Sequence, residues 1–167
     1  MRIWLVRHGD ADAEIPEGLG DEARPLTTKA RHVVEAHFHA LADRLANPAV
    51  IFSSPLVRAV QTAQILAMVL RYEGPMRIHR VLLPDMPVGA LEGLIQEHLG
   101  QNLILVGHQP SMGALASHLL GLQSSFPKQV SPGTVIGLER EGEESSHPAR
   151  FSFYAPPGQP LLETIEP

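Results

Sequence analysis

The residue pattern predicts an α/β fold, a three-layer sandwich in which a mostly parallel, doubly wound sheet carries helices on both faces. Three observations predict it. Short apolar runs at Ile3–Val6, Ala49–Phe52 and Asn102–Val106 alternate with longer segments of helical periodicity, the order that strand–helix units impose. The run ending at Val106 is apolar on both faces, as an interior parallel strand must be. Each run also stops at a polar turn: Arg7-His8-Gly9, Ser53-Ser54-Pro55 and Gly107-His108-Gln109-Pro110.

A length of 167 residues suits a single domain spanning 1–167, because one core organises roughly 100–200 residues. The chain has no cysteine, so disulfides, thiol catalysis and thiolate zinc sites are excluded. A net charge of −5 speaks against a nucleic-acid partner, which needs a broad basic footprint. It leaves room for an anionic ligand, since a few arginines in one cleft make a local positive potential. No stretch approaches the ~20 apolar residues of a membrane span, and Met1–Val6 is too short for a secretory core of about 7–15 residues. The expectation is a cytoplasmic protein with no membrane partner.

The elements follow in order. Ile3–Val6 reads as a buried strand, and Asp10–Pro25 as a polar loop. Thr27 or Thr28 caps a helix whose Val33, Val34, Phe38, Leu41 and Leu45 recur at three- and four-residue steps, ending at Asn47-Pro48. Ala49–Phe52 is the second strand. Ser54 is expected to cap the next helix, with Pro55 at its first position. Arg77–Val81 alternates like an edge strand, Leu82–Val88 is loop, and Gly89–Leu99 is a helix ended by Gly100. After the strand to Val106, Ser111 is expected to cap a helix running to Gly121. Thr134–Leu138 and Phe151–Tyr154 are late strands, joined by a charged connection with Glu139–Glu144 as a solvated hairpin tip. Residues from about 156 to 167 form a proline-rich, extended tail.

Three strand ends therefore carry the chemistry. In open α/β sheets ligands bind beyond the carboxyl ends of the strands. There Arg7 and His8 stand together, with Gly9 allowing close backbone approach and unusual dihedrals. Arg58 falls in the first turn of the second helix, an unfavourable place for a cation unless an anion binds the same helix end. Thr62 lies one turn on. His108 ends the third strand. Each element alone also reads as a solvated turn or an exposed arginine; their shared edge makes one pocket.

Arg7-His8-Gly9, Leu26-Thr27 after Arg24-Pro25, Ser53-Ser54-Pro55 with Arg58-Ala59 and Gln61-Thr62, and Gly107-His108 together resemble the histidine phosphatase superfamily. Within it the chain is similar to the small SixA-type phosphohistidine phosphatases, through Arg7-His8-Gly9-Asp10-Ala11, Arg24–Thr28, Leu83–Val88 and Val106–Pro110. The likeness runs from Met1 to about Gly121, and Ala30 departs from the usual glycine. The resemblance implies that His8 is the nucleophile, Arg7 and Arg58 bind phosphoryl oxygens, and His108 donates a further hydrogen bond, with Gly9 at the substrate. Two guanidiniums and one imidazolium would then offset a phosphate dianion, with no cofactor and no metal. Phosphoryl transfer relies chiefly on positioning and charge.

The leaving group decides the substrate. Larger members of the superfamily place a carboxylate acid between the second arginine and the late histidine, where this chain has Asp85 and Glu92. An alkoxide needs such an acid; imidazole, whose parent side chain titrates near ~6.5, does not. Asp85 is thus a candidate acid or a turn former after Pro84. The leading expectation is a phosphatase for protein phosphohistidine, with a phosphorylated protein such as a histidine phosphotransfer domain as partner. The alternatives are a small-molecule phosphomonoesterase and a non-catalytic phosphate-binding module. The remaining histidines lack ligand-like spacing; His37 and His39 point apart on a helix. Trp4 is read as core, and Asp10 and Asp12 as loop-solvating residues.

Overall fold

The computed structural model describes residues 1–142 and 147–166. Its strands are β1 (Arg2–Arg7), β2 (Val50–Ser53), β3 (Met76–Ile78), β4 (Leu103–Gly107), β5 (Val135–Glu139) and β6 (Arg150–Ala155), and its helices α1 (Thr28–Leu41), α2 (Val57–Val69), α3 (Val88–Gln96) and α4 (Ser111–Leu119). The strands form one sheet in the order β3-β2-β4-β1-β5-β6. β1–β4, β4–β2 and β2–β3 run parallel. β1–β5 and β5–β6 are antiparallel, so the sheet is mixed, with its parallel part where the βα units lie.

Alternation along β1 builds the layers. Ile3 and Leu5 face one side, where they pack with Leu105, Leu91, Ile95, Met112 and Leu115. Trp4 and Val6 face the other, with Val34, Phe38, Ile51, Ala59, Leu66 and Ile104. Period-two side chains on a strand and a three-to-four step on each helix make both cores continuous. Helices α1 and α2 thus cover one face and α3 and α4 the other. Trp4 is core, as its place in the first strand implies.

Helix starts depart from expectation at two places. Thr27 does cap α1, its hydroxyl accepting the Ala30 N–H at 2.9 Å. Ser54 does not cap α2: the helix begins at Val57, with Leu56 in the cap position and no side-chain cap. The Ser54 hydroxyl instead accepts the Leu56 N–H at 3.2 Å in a turn ahead of the helix and meets His108. Ser111 is the first residue of α4 rather than its cap, and Pro110 takes the cap position. Gln109 supplies the missing acceptor, its Oε1 receiving the Gly113 N–H at 2.8 Å.

The chain after Ala155 is not an extended tail. It turns at Gly158 (φ 71°) and returns, so that Leu162 exchanges both backbone hydrogen bonds with Tyr154 at 2.8 and 2.9 Å. Leu162 and Ile165 can then pack on one core and Leu161 on the other, which is why the segment does not run into solvent. Glu139 belongs to β5, and Arg150 holds it at 2.7 Å; the remainder of the expected hairpin tip lies partly outside the described residues. No helix among the described residues is long and apolar enough to cross a membrane.

Candidate active site

Because β2, β4 and β1 are parallel neighbours, their carboxyl ends share an edge. His8 N–H donates to the Gly107 carbonyl at 3.0 Å and Ser54 N–H to the Val106 carbonyl at 2.9 Å, tying the three ends together. They open into a cleft of about 270 Å³ lined by Arg7, His8, Asp10, Ala11, Arg24, Arg58, Pro84, His108, Gln109 and Pro132. Arg7, His8, Arg58 and His108, all singled out in the sequence, thus meet in one place. The rings of His8 and His108 lie 4.9 Å apart, centre to centre.

His8 is buried, and its Nδ1–H donates to the Gly9 carbonyl at 2.6 Å. That bond fixes the tautomer and leaves the Nε2 lone pair free. Burial, and after it the charges of Arg58, Arg7 and Arg24, push its pKa down to about 4, so the ring is neutral and able to attack. Burial likewise holds His108 down to about 3, helped by His8, Arg58 and Arg7. The expected imidazolium is therefore a neutral imidazole in the open cleft, because a third cation beside two arginines and in low dielectric is unfavourable. His108 Nε2 lies 2.7 Å from Ser54 Oγ. Ser54 Oγ also accepts Leu56 N–H, and with two lone pairs and one proton it can either donate to His108 Nε2 or accept from it.

Arg7 donates through Nη1 to the Val130 carbonyl at 2.8 Å, while its Nε is buried without a hydrogen-bond partner among the described residues. A buried, unspent guanidinium donor costs free energy unless an acceptor arrives. Burial also lowers its pKa, although the Asp10 carboxylate opposes this. Arg58 is buried in the first turn of α2, and that turn holds no acidic residue. The anion comes from elsewhere: Asp21 accepts from Arg58 Nη1 with its carbonyl at 3.1 Å and from Nη2 with Oδ2 at 3.2 Å.

Gly9 serves by close packing rather than by unusual dihedrals. A Cβ there would stand 3.0 Å from Val34 Cγ1 and 3.2 Å from Leu26 Cδ2. Its N–H donates to Thr62 Oγ1 at 3.0 Å, and Thr62 in turn donates to the Arg58 carbonyl at 2.8 Å. Thr62 therefore locks α2 to the end of β1. Asp85 directly follows Pro84, which lines the cleft. It lies in a turn at φ 64°, is exposed, and is not itself among the residues lining the cleft; aspartate tolerates that left-handed conformation better than most residues.

Five functional neighbours were not legible as site residues. Arg24, Asp10 and Gln109 line the cleft, and Asp21 and Ser54 orient groups within it. Arg24 is brought in by the loop, which closes on itself through Thr27 N–H to the Asp10 carbonyl at 3.1 Å and Asp12 N–H to the Pro25 carbonyl at 2.8 Å. The signal that could have found it is a third arginine in a loop joining two site elements. Among the described residues no group of three or more His, Asp or Glu side chains could hold a metal ion.

The sequence profile of the histidine phosphatase superfamily, branch 1, matches residues 3–84, a span that contains Arg7, His8 and Arg58. An uncharacterized protein of Picosynechococcus sp. is 32% identical over 145 residues, covering 83% of this chain and 84% of that protein. The chain belongs to the histidine phosphatase superfamily. Solved structures of similar fold include the protein histidine phosphatase SixA complexed with tungstate, at a TM-score of 0.81 and 21% identity, covering 93% of this chain and 96% of that one. A mycobacterial glucosyl-3-phosphoglycerate phosphatase superposes at 0.64 with 18% identity, covering 90% of this chain and 96% of that one. As a member of the superfamily the chain is a phosphatase, and its cleft has the charge and the buried donors that a phosphoryl group requires.

Proposed function

We propose that this phosphatase removes phosphoryl groups from phosphohistidine on a protein, in the cytoplasm, through a phosphorylated His8. The observation that carries the reading is a cleft rich in arginine and histidine with no carboxylate from the Asp85 turn among its lining residues. In the first step the His8 Nε2 lone pair forms a bond to phosphorus while the bond from phosphorus to the substrate's imidazole nitrogen breaks. Arg7 and Arg58 bind the equatorial oxygens, and His108 donates a further hydrogen bond through its ring N–H. The departing imidazole keeps the electron pair of the broken P–N bond and, with its other ring nitrogen already protonated, leaves as a neutral weak base that needs no proton at that bond. In the second step a water oxygen bonds to phosphorus, the bond to His8 breaks, and inorganic phosphate leaves with the water's proton passing to solvent. The phosphorylated partner is a histidine-phosphorylated protein such as a phosphotransfer domain, and the groups named need no metal or cofactor.

A specific observation favours a second reading, hydrolysis of small phosphomonoesters. Asp10 does line the cleft, so a carboxylate is available to protonate an alkoxide, and a neighbour of similar fold is a glucosyl-3-phosphoglycerate phosphatase. Hydrolysis of phosphohistidine and of an alkyl phosphomonoester by wild type, Asp10→Asn and Asp85→Asn separates the two. The proposal expects phosphohistidine turnover within about tenfold of wild type in both variants, because the leaving imidazole needs little help. Wild-type preference for the alkyl ester, with a loss of roughly 10²–10⁴ in Asp10→Asn, would replace it with the second reading.

A further inference from the structure

We propose that Arg24 is a third ligand of the transferred phosphoryl group, and that Asp21 is the positioning residue that holds Arg24 and Arg58 as a pair. The inference rests on the cleft being the phosphate site of the reading above, but not on which leaving group the phosphate departs from.

One carboxylate joins the two arginines. Asp21 Oδ1 accepts from Arg24 Nε at 2.7 Å, and Oδ2 accepts from Arg58 Nη2 at 3.2 Å. The Asp21 carbonyl takes Arg58 Nη1 at 3.1 Å, and Arg24 Nη1 donates to the Asp12 carbonyl at 2.9 Å. These bonds fix the plane of each guanidinium while sparing donors. Arg24 Nη2 makes no hydrogen bond to the described residues, and Arg58 keeps its Nε–H. A guanidinium carries five N–H groups in a rigid fork, so a residue pinned along one edge still presents another. Arg24 shares its cleft with His8.

An ordinary surface ion pair does not account for this. The Arg58 side chain is 7% exposed and that of Asp21 58%, so the carboxylate is well hydrated and gains little from the contact. One anion between two cations also leaves the mouth of the cleft positive, as a receptor for a dianion should be. Asp21 repels a bound phosphate, but water screens that repulsion at so exposed a group. The loss of a fixed orientation at buried Arg58 is not screened. Positioning therefore outweighs repulsion, and removing the Asp21 charge should weaken phosphate binding rather than tighten it.

Inhibition by inorganic phosphate, supplemented by calorimetric titration of phosphate, tests this in wild type, Arg24→Ala, Arg24→Lys, Asp21→Asn and the double variant Asp21→Asn/Arg24→Ala. Arg24→Ala should raise the inhibition constant about tenfold or more, the usual effect of losing a hydrogen bond to a charged group. Arg24→Lys should recover only part, since a point charge cannot reproduce the fork. Asp21→Asn should raise the constant several-fold, and the double variant should fall short of the product of the single effects, because the two residues act as one unit. Melting temperatures identify any variant that fails to fold, and the isosteric Asp21→Asn then carries the test. Unchanged phosphate binding in folded Arg24→Ala would overturn the ligand assignment. Tighter binding in Asp21→Asn would make the carboxylate a competitor and overturn the positioning role. Because phosphate itself is the probe, a wrong leaving-group assignment leaves these results unaffected.

Discussion

At the scale of single residues, the two site histidines make a prediction whose sign is fixed. Both have native pKa values below the ordinary ~6.5 of histidine, about 4 for His8 and about 3 for His108. Below ~6.5 the unfolded chain binds protons that the folded one refuses. Stability therefore falls as pH drops through the window from ~6.5 to about 4, and each contribution levels off below its native value. At pH 5 each histidine should cost on the order of 2 kcal/mol relative to pH 7. Melting temperature measured at pH 7 and pH 5 should thus drop less in His8→Ala than in wild type. His37, also lowered by burial, acts in the same direction in both proteins and does not disturb the comparison. Equal drops in the two proteins would mean that His8 is not held neutral by its surroundings.

Residues also show what the sequence discloses and what it withholds. Arg7, His8, Arg58 and His108 were legible because each stands within a turn or helix start directly after an apolar run, and parallel strands bring such positions to one edge. The Arg58–Asp21 contact spans 37 positions and the Ser54–His108 contact 54. Such pairings depend on where loops lie in three dimensions, and no local pattern encodes them. The protonation of His108 was misjudged for a related reason: its neutrality follows from burial beside two arginines, which a linear sequence does not display.

At the scale of elements, capping separates what local chemistry decides from what tertiary contacts override. Thr27 behaves as its sequence position suggests, since nothing else competes for its hydroxyl. Thr27→Ala should therefore destabilise the protein by about 1 kcal/mol, the usual cost of a lost N-cap, and lower the denaturation midpoint without changing the denaturant slope. Ser54 looks equally suited to a cap, but its hydroxyl is taken by His108, so α2 begins at Val57 without a side-chain cap. Ser54→Ala should then affect turnover more than stability, the reverse of Thr27→Ala. A Ser54→Ala variant with full activity and a cap-sized loss of stability would contradict that division. The late strands Thr134–Leu138 and Phe151–Tyr154 are legible in the sequence as strands, while the antiparallel pairing of β5 with β1 depends on how the chain crosses the sheet.

At the scale of the whole molecule, the sheet acts as the frame that turns three separate strand ends into one receptor. Its two cores lie on opposite faces and meet only through the strands, so the order β2-β4-β1 is what sets His8, Ser54 and His108 side by side. The α/β layering was readable from periodicity. The return of residues after Ala155 onto β6 was not, because Leu161, Leu162 and Ile165 are too sparse among prolines to show a period. The central claim is that this frame delivers a phosphoryl group to His8 Nε2. Rapid-quench labelling with a substrate carrying radioactive phosphate tests it most directly. The expected result is a covalent phosphoenzyme that is labile in acid and stable in alkali, as a phosphoramidate is, absent in His8→Ala although that variant still binds inorganic phosphate. Turnover persisting in His8→Ala, or label retained in acid on a hydroxyl side chain, would contradict it.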